Sequence, residues 1–351
     1  MPNVSAEQLE NIAHELLRGA GATEHEAATV AGGILSANLA GHDSHGIIQL
    51  PTYIDRIKVG HIVPGAPMDV VKETPTTMVV DGNWGFGYAV SKYVMESIIK
   101  KAETGNVAAA TVFRQGHVGR VANYPIMAAE AGMIGFMTAD SGRSAKAVVP
   151  FGGREARLGT NPICFAMPSN LDGPLFIDMA TSAVAAGKVS LAIARGKSIP
   201  EGWILDKDGN PTTDPSDFTN GGGILPLGGS EGHKGYGMSA IVEIFSGLLT
   251  GLGFGVEPSG RHNDGCFMAV FKVEAFRELD EFKQEVTEFA HYLKSTPRAE
   301  GFDEIYYPGE IEHIRTQKSL RDGIEVEDST WKKLRELAQE FGVAESTEFT
   351  G

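Results

Sequence analysis

The chain has 351 residues, 42% hydrophobic and 21% charged, an ordinary globular composition at a length that suits two domains or one large one. Its formal net charge of −15 argues against a general nucleic-acid binder and against an anionic membrane partner, since both need a basic face. An anionic small substrate stays open, because one arginine in a pocket overrides a distant net charge.

Cys164 and Cys266 are the only cysteines, too few for a disulfide framework or a thiolate metal cluster, and they fit a reducing compartment. The start, MPNVSAEQLENIAHELL, lacks a basic segment followed by an apolar core, so no signal peptide is expected. No uncharged run reaches the ~18 residues of a membrane span, and the expected location is the cytoplasm. Forty-four glycines, spread without a period, argue for many tight turns.

In chain order, Ser5 with Gln8 reads as a capping box, and Leu9, Ile12, Ala13, Leu16 and Leu17 follow at helical spacing up to Gly19 and Gly21. Thr23 and Glu26 repeat the signal for a second helix running to about Ala40. Ser44 is placed to cap a third, with Pro51 in its first turns. From about residue 70 the pattern changes to α/β. TTMVVDG, VAAATVF and MIGFMTA are short β-rich runs, and SKYVMESIIKKAE and ANYPIMAAEAG are amphipathic helices between them. Residues 200–230 read as long loops with a DKDGN turn, a length more often functional than idle. Residues 235–251 predict an apolar buried helix, 267–273 a strand, 274–295 a charged helix, and 328–341 a last amphipathic helix capped near Ser329.

Two phosphate-loop look-alikes fail. Gly85-x-Gly87-x-x-Val90 lacks its third glycine, and Lys234 in GGSEGHKGYG is followed by Gly235 where a magnesium-binding Ser or Thr belongs. No Rossmann fingerprint is present. Three polar constellations remain. HDSHG puts His42 and His45 three apart, a spacing open to a metal site, although the flanking Gly41 and Gly46 break a helix and no third ligand stands nearby. Ser44 has no nucleophile elbow around it, whereas an acid–base His45 with Asp43 or Ser44 to fix its tautomer fits. RQGHVGR sets His117 after a strand, and LGTNPICFAMP and DMATSAVAAGK carry polar turns at strand ends. For Asp178 alone, capping a helix is the simpler role.

Together, AGHDSHGI, GHVGR, VVPFGG, GTNPICFAMP, DMATSAVAAGK, HKGYGMS and YYPGE, in that order over nearly the whole chain, resemble the type 2 malate/L-lactate dehydrogenase family, and most of all its bacterial hydroxycarboxylate dehydrogenase branch. The resemblance implies an α/β (α+β) fold, in which a non-Rossmann mixed sheet with flanking helices binds the dinucleotide beside a smaller helical domain. It divides the chain into 1–70 with 300–351 (helical) and 71–299 (dinucleotide-binding). It implies NAD or NADP as cofactor, with NAD slightly ahead, and a homodimer or higher homo-oligomer. The cofactor is expected at Ser141, Asp178, Met179, Ala180, Thr181, Lys234, Gly309 and Glu310. The substrate is expected at Ser44, Gln49, Tyr53, Arg120, Thr160 and Asn161, and no metal is called for. His45 and His117 each match a histidine that members of the family use as acid–base group.

The implied reaction interconverts a 2-oxo acid and a 2-hydroxy acid. It needs hydride at carbon and a proton at the carbonyl oxygen, which an imidazolium can supply. The family's usual SHGxxR has an arginine where this chain has Gln49, and Arg120 stands where relatives often carry alanine. Carboxylate recognition by Arg120 is therefore expected, with Gln49 and Tyr53 as neutral walls. Larger monocarboxylates then gain over malate-like dicarboxylates. Reduction of a cyclic imine carboxylate and, from a different class, metal-dependent hydrolysis by His42 and His45 are the alternatives.

Overall fold

The computed structural model describes residues 1–140, 145–256 and 261–343. A short strand, β1 (Asn3–Val4), leads into α1 (Ala6–Gly19), where the Ser5 hydroxyl accepts the Gln8 N–H at 3.1 Å. α2 (Glu24–Leu39) starts with the full capping box: Thr23 Oγ1 accepts from the Glu26 N–H, and Glu26 Oε2 accepts from the Thr23 N–H. The third helix begins later than Ser44. Asp43–His45 and Ile47–Gln49 form two separate 3-10 turns, and α3 runs Leu50–Lys58 with Pro51 in its first turn. Gly46 between the turns is extended, which breaks the helical path, and the Asn38 side chain captures the Ile47 N–H at 2.7 Å.

Next come β2 (Asp69–Glu73), β3 (Thr77–Gly85), α4 (Gly87–Gly105), β4 (Val107–Gln115), α5 (Asn123–Glu130), β5 (Met133–Asp140), β6 (Ile163–Met167) and β7 (Leu175–Met179). α6 (Ala186–Arg195) follows. The stretch read as long loops holds a small antiparallel sheet of β8 (Ile204–Leu205), β9 (Pro211–Thr212) and β10 (Gly223–Ile224), in the order β10-β8-β9. The DKDGN turn between β8 and β9 is closed by Asp206 Oδ1, which accepts the N–H of Asp208 and of Asn210.

α7 (His233–Glu243) continues into a π turn at Ile244–Leu248. It is not buried all round as expected. Val242, Ser239 and Glu243 face inward, while Met238, Ile241, Ile244, Leu248 and Leu249 lie exposed in this chain. β11 (Gly265–Lys272), α8 (Leu279–Lys294), α9 (Glu310–Asp322), β12 (Ile324–Glu325) and α10 (Asp328–Phe341) complete the order. α10 is preceded by Glu327 at its cap position, without a side-chain cap, rather than by Ser329.

The main sheet has seven strands in the order β2-β3-β4-β11-β5-β6-β7. Only β3 and β4 run parallel, joined by α4 as a crossover helix; the other neighbours are antiparallel. It is the mixed, non-Rossmann sheet expected. α4 and α5 cover one face through Val94, Ile98, Tyr124 and Ala128, and the free thiols of Cys164 and Cys266 are buried in that layer. A second core joins α1, α2 and α3 to α10 through Leu9, Ile12, Leu16, Ile34, Trp331 and Leu334, with Tyr88 at its border. β1 pairs with β12, which ties the two ends of this helical cluster. Among the described residues, no helix is long and apolar enough to cross a membrane.

Candidate active site

The two cores meet where the turn after α2 faces the loop after β4. The first brings Ser44 and His45, the second His117, and the two imidazole rings stack with centroids 5.6 Å apart and 23° between planes. Each ring is held through Nδ1. The Ser44 hydroxyl lies 3.0 Å from that of His45, and the Tyr53 hydroxyl lies 2.6 Å from that of His117. Gly119 allows this packing: its φ is +70°, and a Cβ there would fall 2.1 Å from the Tyr88 hydroxyl.

A chain of hydroxyls runs away from His117. Tyr53 lies 3.5 Å from the Tyr88 hydroxyl, and Tyr88 donates to the His45 carbonyl at 3.4 Å. Burial pushes the Tyr53 pKa well above its ordinary value and that of Tyr88 up to about 12, so both remain O–H groups. The chain ends on a carbonyl, which can only accept. Run backwards, the direction is Tyr88 to carbonyl, Tyr53 to Tyr88, and His117 Nδ1–H to Tyr53. That tautomer leaves the lone pair on His117 Nε2. Burial lowers the His117 pKa to about 3, opposed by the Asp264 carboxylate, and also lowers that of His45, opposed chiefly by Asp178. Both rings are therefore neutral bases at neutral pH.

Sequence reasoning missed two neighbours, His262 and Asp264. The His262 ring meets the His117 ring edge-on at 5.6 Å, and its Nε2 lies 2.7 Å from Asp264 Oδ1. The available signal was the polar run RHND two residues before the predicted strand 267–273, and directly before β11 as observed.

Arg120 is buried under the same loop. Its guanidinium sits 5.0 Å over the Phe176 ring, Nη1 reaches Ser36 Oγ at 3.4 Å, and Nε has no hydrogen-bond partner among the described residues. It also lines a groove with Ser36, Tyr88, Lys92 and Asn123. Burial lowers its pKa, with Asp178 and Glu312 opposing. Asp178, next to last in β7, caps no helix of its own; it accepts the N–H of Ala122, the residue before α5, at 2.8 Å. Burial raises its pKa. Gln49 folds back to donate to the Ser44 carbonyl at 2.7 Å.

The remaining expected contacts form a strip along the edge strand β7. Met179 and Ala180 follow Asp178, and Thr181 bonds to the carbonyls of Thr160 and Asn161. The Asn161 amide itself points into α7, donating to the Ser239 carbonyl and to Glu243, so it serves as an internal pin away from the histidines. Leu227 donates to the Thr181 carbonyl and supports Gly235, which brings exposed Lys234, 3.1 Å from Glu231, to the Thr181 side. At the other end, the Pro308 carbonyl accepts the Phe176 N–H, and Gly309 (φ +95°) packs so close that a Cβ would lie 2.5 Å from the Pro174 carbonyl. Glu310 accepts the Tyr307 N–H at 3.0 Å and pairs with Lys294. Ser141 lies outside the described residues.

His42 and His45 do not converge. His42 turns to Glu312, 3.5 Å away, while His45 stacks on His117. Among the described residues, no group of three His, Cys, Asp or Glu side chains is arranged to hold a metal ion.

The family model described as malate/L-lactate dehydrogenase matches residues 4–335. The chain is 36% identical over 331 residues to malate dehydrogenase of Pyrococcus horikoshii, covering 92% of this chain and 91% of that one. It is 37% identical over 335 residues to L-sulfolactate dehydrogenase of Methanocaldococcus jannaschii, with 94% of each covered. The crystal structure of malate dehydrogenase from Entamoeba histolytica superposes with a TM-score of 0.93 at 34% identity, over 97% of this chain and 98% of that one.

Proposed function

The chain belongs to the malate/L-lactate dehydrogenase family, and on that premise we propose that it interconverts a 2-hydroxy acid and a 2-oxo acid with His117 as the proton carrier. The observation that carries this reading is the stacked His45–His117 pair, each ring fixed through Nδ1 and each keeping Nε2 for a ligand.

The residues fit a nicotinamide dinucleotide. Lys234 and the first-turn amides of α7 suit a diphosphate, and the extended backbone at Asp178, Met179 and Ala180, with small side chains at Ala180 and Thr181, suits a flat ring. Gly309 and Glu310 would bound the other end. A bound nicotinamide accepts or returns the hydride. We take NAD over NADP.

In the oxidation direction the substrate O–H proton passes to His117 Nε2, the bonding pair it leaves becomes the second C–O bond, and the C–H pair departs as hydride. His45, stacked beside it with Ser44 fixing its ring, hydrogen-bonds the same oxygen. Reduction runs the steps backwards, returning the proton from the imidazolium. Arg120 holds the substrate carboxylate, because its Nε, unpaired among the described residues, is a buried donor in want of an acceptor. Gln49 and Tyr53 stand beside it as neutral hydrogen-bonding walls. This favours monocarboxylates, larger ones included, over the dicarboxylate that the name of the Pyrococcus relative specifies. The buried free cysteines fit a reducing compartment, and we place the enzyme in the cytoplasm as a homo-oligomer.

The test is a panel of 2-oxo acids and cyclic imine carboxylates, each with NADH and NADPH, followed at 340 nm. Turnover of 2-oxo monocarboxylates is expected, and His117→Ala should cut kcat by about 10²–10⁴-fold. Turnover of the imines alone sinks the 2-oxo acid reading. Full activity of His117→Ala with loss in His45→Ala reverses the assignment of the rings.

A further inference from the structure

The pair His262 and Asp264 has no part in the steps above, yet it stands directly behind them. Asp264 opens the approach to β11 and is almost inaccessible, with 3% exposure. Its Oδ1 lies 2.7 Å from His262 Nε2, and its Oδ2 accepts the Val118 N–H at 2.9 Å. Val118 follows His117 directly, so this carboxylate anchors the loop one residue from the ring. His262 packs edge-on against His117, which leaves His117 enclosed by His45 on one side and His262 on the other. An apolar residue would fill the same space at the start of a buried central strand without any charge to desolvate. The acid therefore has a reason other than packing.

The groups that face His117 come from four elements. They are His45 from the turn after α2, Tyr53 and Arg56 from α3, Tyr88 from α4, and His262 with Asp264 from the approach to β11. Asp264 is the acid among them, and its carboxyl is held well below the usual range: burial pushes it up, but the His262 ring and the Val118 N–H outweigh burial. It stays ionised at any pH where the enzyme works.

We propose that His262 and Asp264 form a positioning pair for proton transfer, in which the carboxylate fixes the His117 loop and supplies the negative charge that steadies the imidazolium as His117 takes the substrate proton. The proposal rests on His117 as proton carrier. The proton stops at His117 Nε2, Nδ1–H stays on Tyr53, and Asp264 takes no proton. Neither residue of the pair needs to touch substrate.

Asp264→Asn keeps the shape and an acceptor oxygen for Val118 while removing the charge. We expect kcat for hydroxy-acid oxidation to fall about 10-fold to 100-fold with KM within about 2-fold, a loss in the range of a positioned acid–base partner. The histidine limb of the pH profile should move to lower pH in both reaction directions, because the imidazolium has lost its counter-charge. His262→Gln leaves the carboxylate charge turned wholly on His117, so the limb should move to higher pH. A purely structural role would lower activity in both variants and move neither limb. If Asp264→Asn folds and its limb stays at the wild-type pH, the proposal is overturned. If Asp264→Asn does not fold, His262→Gln decides, and an unmoved limb overturns it there. An active His117→Ala enzyme overturns the reading of His117 and the pair's role with it. An inactive His117→Ala alongside unmoved limbs overturns the pair alone.

Discussion

Tyr53 bears most directly on how His117 behaves. Its hydroxyl fixes the ring by Nδ1 at 2.6 Å and passes the hydrogen-bond direction on to Tyr88. Tyr53→Phe should lower kcat about 10-fold with little change in KM, since the ring loses its fixed tautomer but not its place. Steady-state kinetics would read the split. Arg120→Ala should do the reverse, raising the KM for 2-oxo acids about 10-fold to 100-fold, the worth of a hydrogen-bonded charge pair. An unchanged KM would remove Arg120 from substrate binding. The half-buried His117 also couples folding to pH. Its folded pKa, about 3, lies below the ordinary value of 6.5, so as pH falls from about 6.5 toward 3 the unfolded chain takes up a proton that the folded ring refuses. Stability drops across that window and is unaffected above it. Urea midpoints measured from pH 7 to pH 4 should fall less steeply in His117→Phe. At this scale the sequence was informative where residues sit in glycine-flanked turns, as His45 and His117 do. For His262 and Asp264 it offered only the polar run RHND, which looks like loop until the strand after it is seen to be central and buried.

Helix starts were legible at Ser5 and Thr23, where a side chain takes a free backbone N–H. Ser5 and Thr23 cap as their spacing predicts. Ser44 fits the same pattern in the sequence and fails, because Gly46 extends the chain and the hydroxyl is used on His45 instead. Local spacing cannot report that competition. Thr23→Ala should cost about 1 kcal/mol and lower Tm by a few degrees with kcat intact, measured by thermal melting. The turn before α9 is stricter. Gly309→Ala forces a side chain into positive φ and against the Pro174 carbonyl, so it should destabilise by about 1–3 kcal/mol and weaken cofactor binding through displacement of β7. Cofactor titration by fluorescence, beside a melt, separates the two effects. The short strands β8, β9 and β10 escaped notice because two-residue strands carry no periodicity.

Across the whole molecule, the alternation of strands and helices was readable, but the strand order was not. β11 inserts between β4 and β5, a pairing that no local pattern encodes, and it is this insertion that delivers Asp264 to His117. α7 reads as a buried helix from its composition, yet one face of it lies open over Met238, Ile241, Ile244, Leu248 and Leu249. A contiguous apolar face of this kind favours self-association. Sedimentation should find the chain as a dimer or larger, and Ile241→Glu with Leu248→Glu should shift it toward monomer. The β1–β12 ribbon has a different consequence, one for synthesis. Asn3 bonds to the Asp322 carbonyl across 319 positions, and the apolar faces of α1 and α2 are sealed by Trp331 and Leu334. A ribosome adding ~5–20 residues per second takes about 15–60 s to bridge such a gap. For that time the apolar faces of α1 and α2 wait without the helix that covers them in the folded chain.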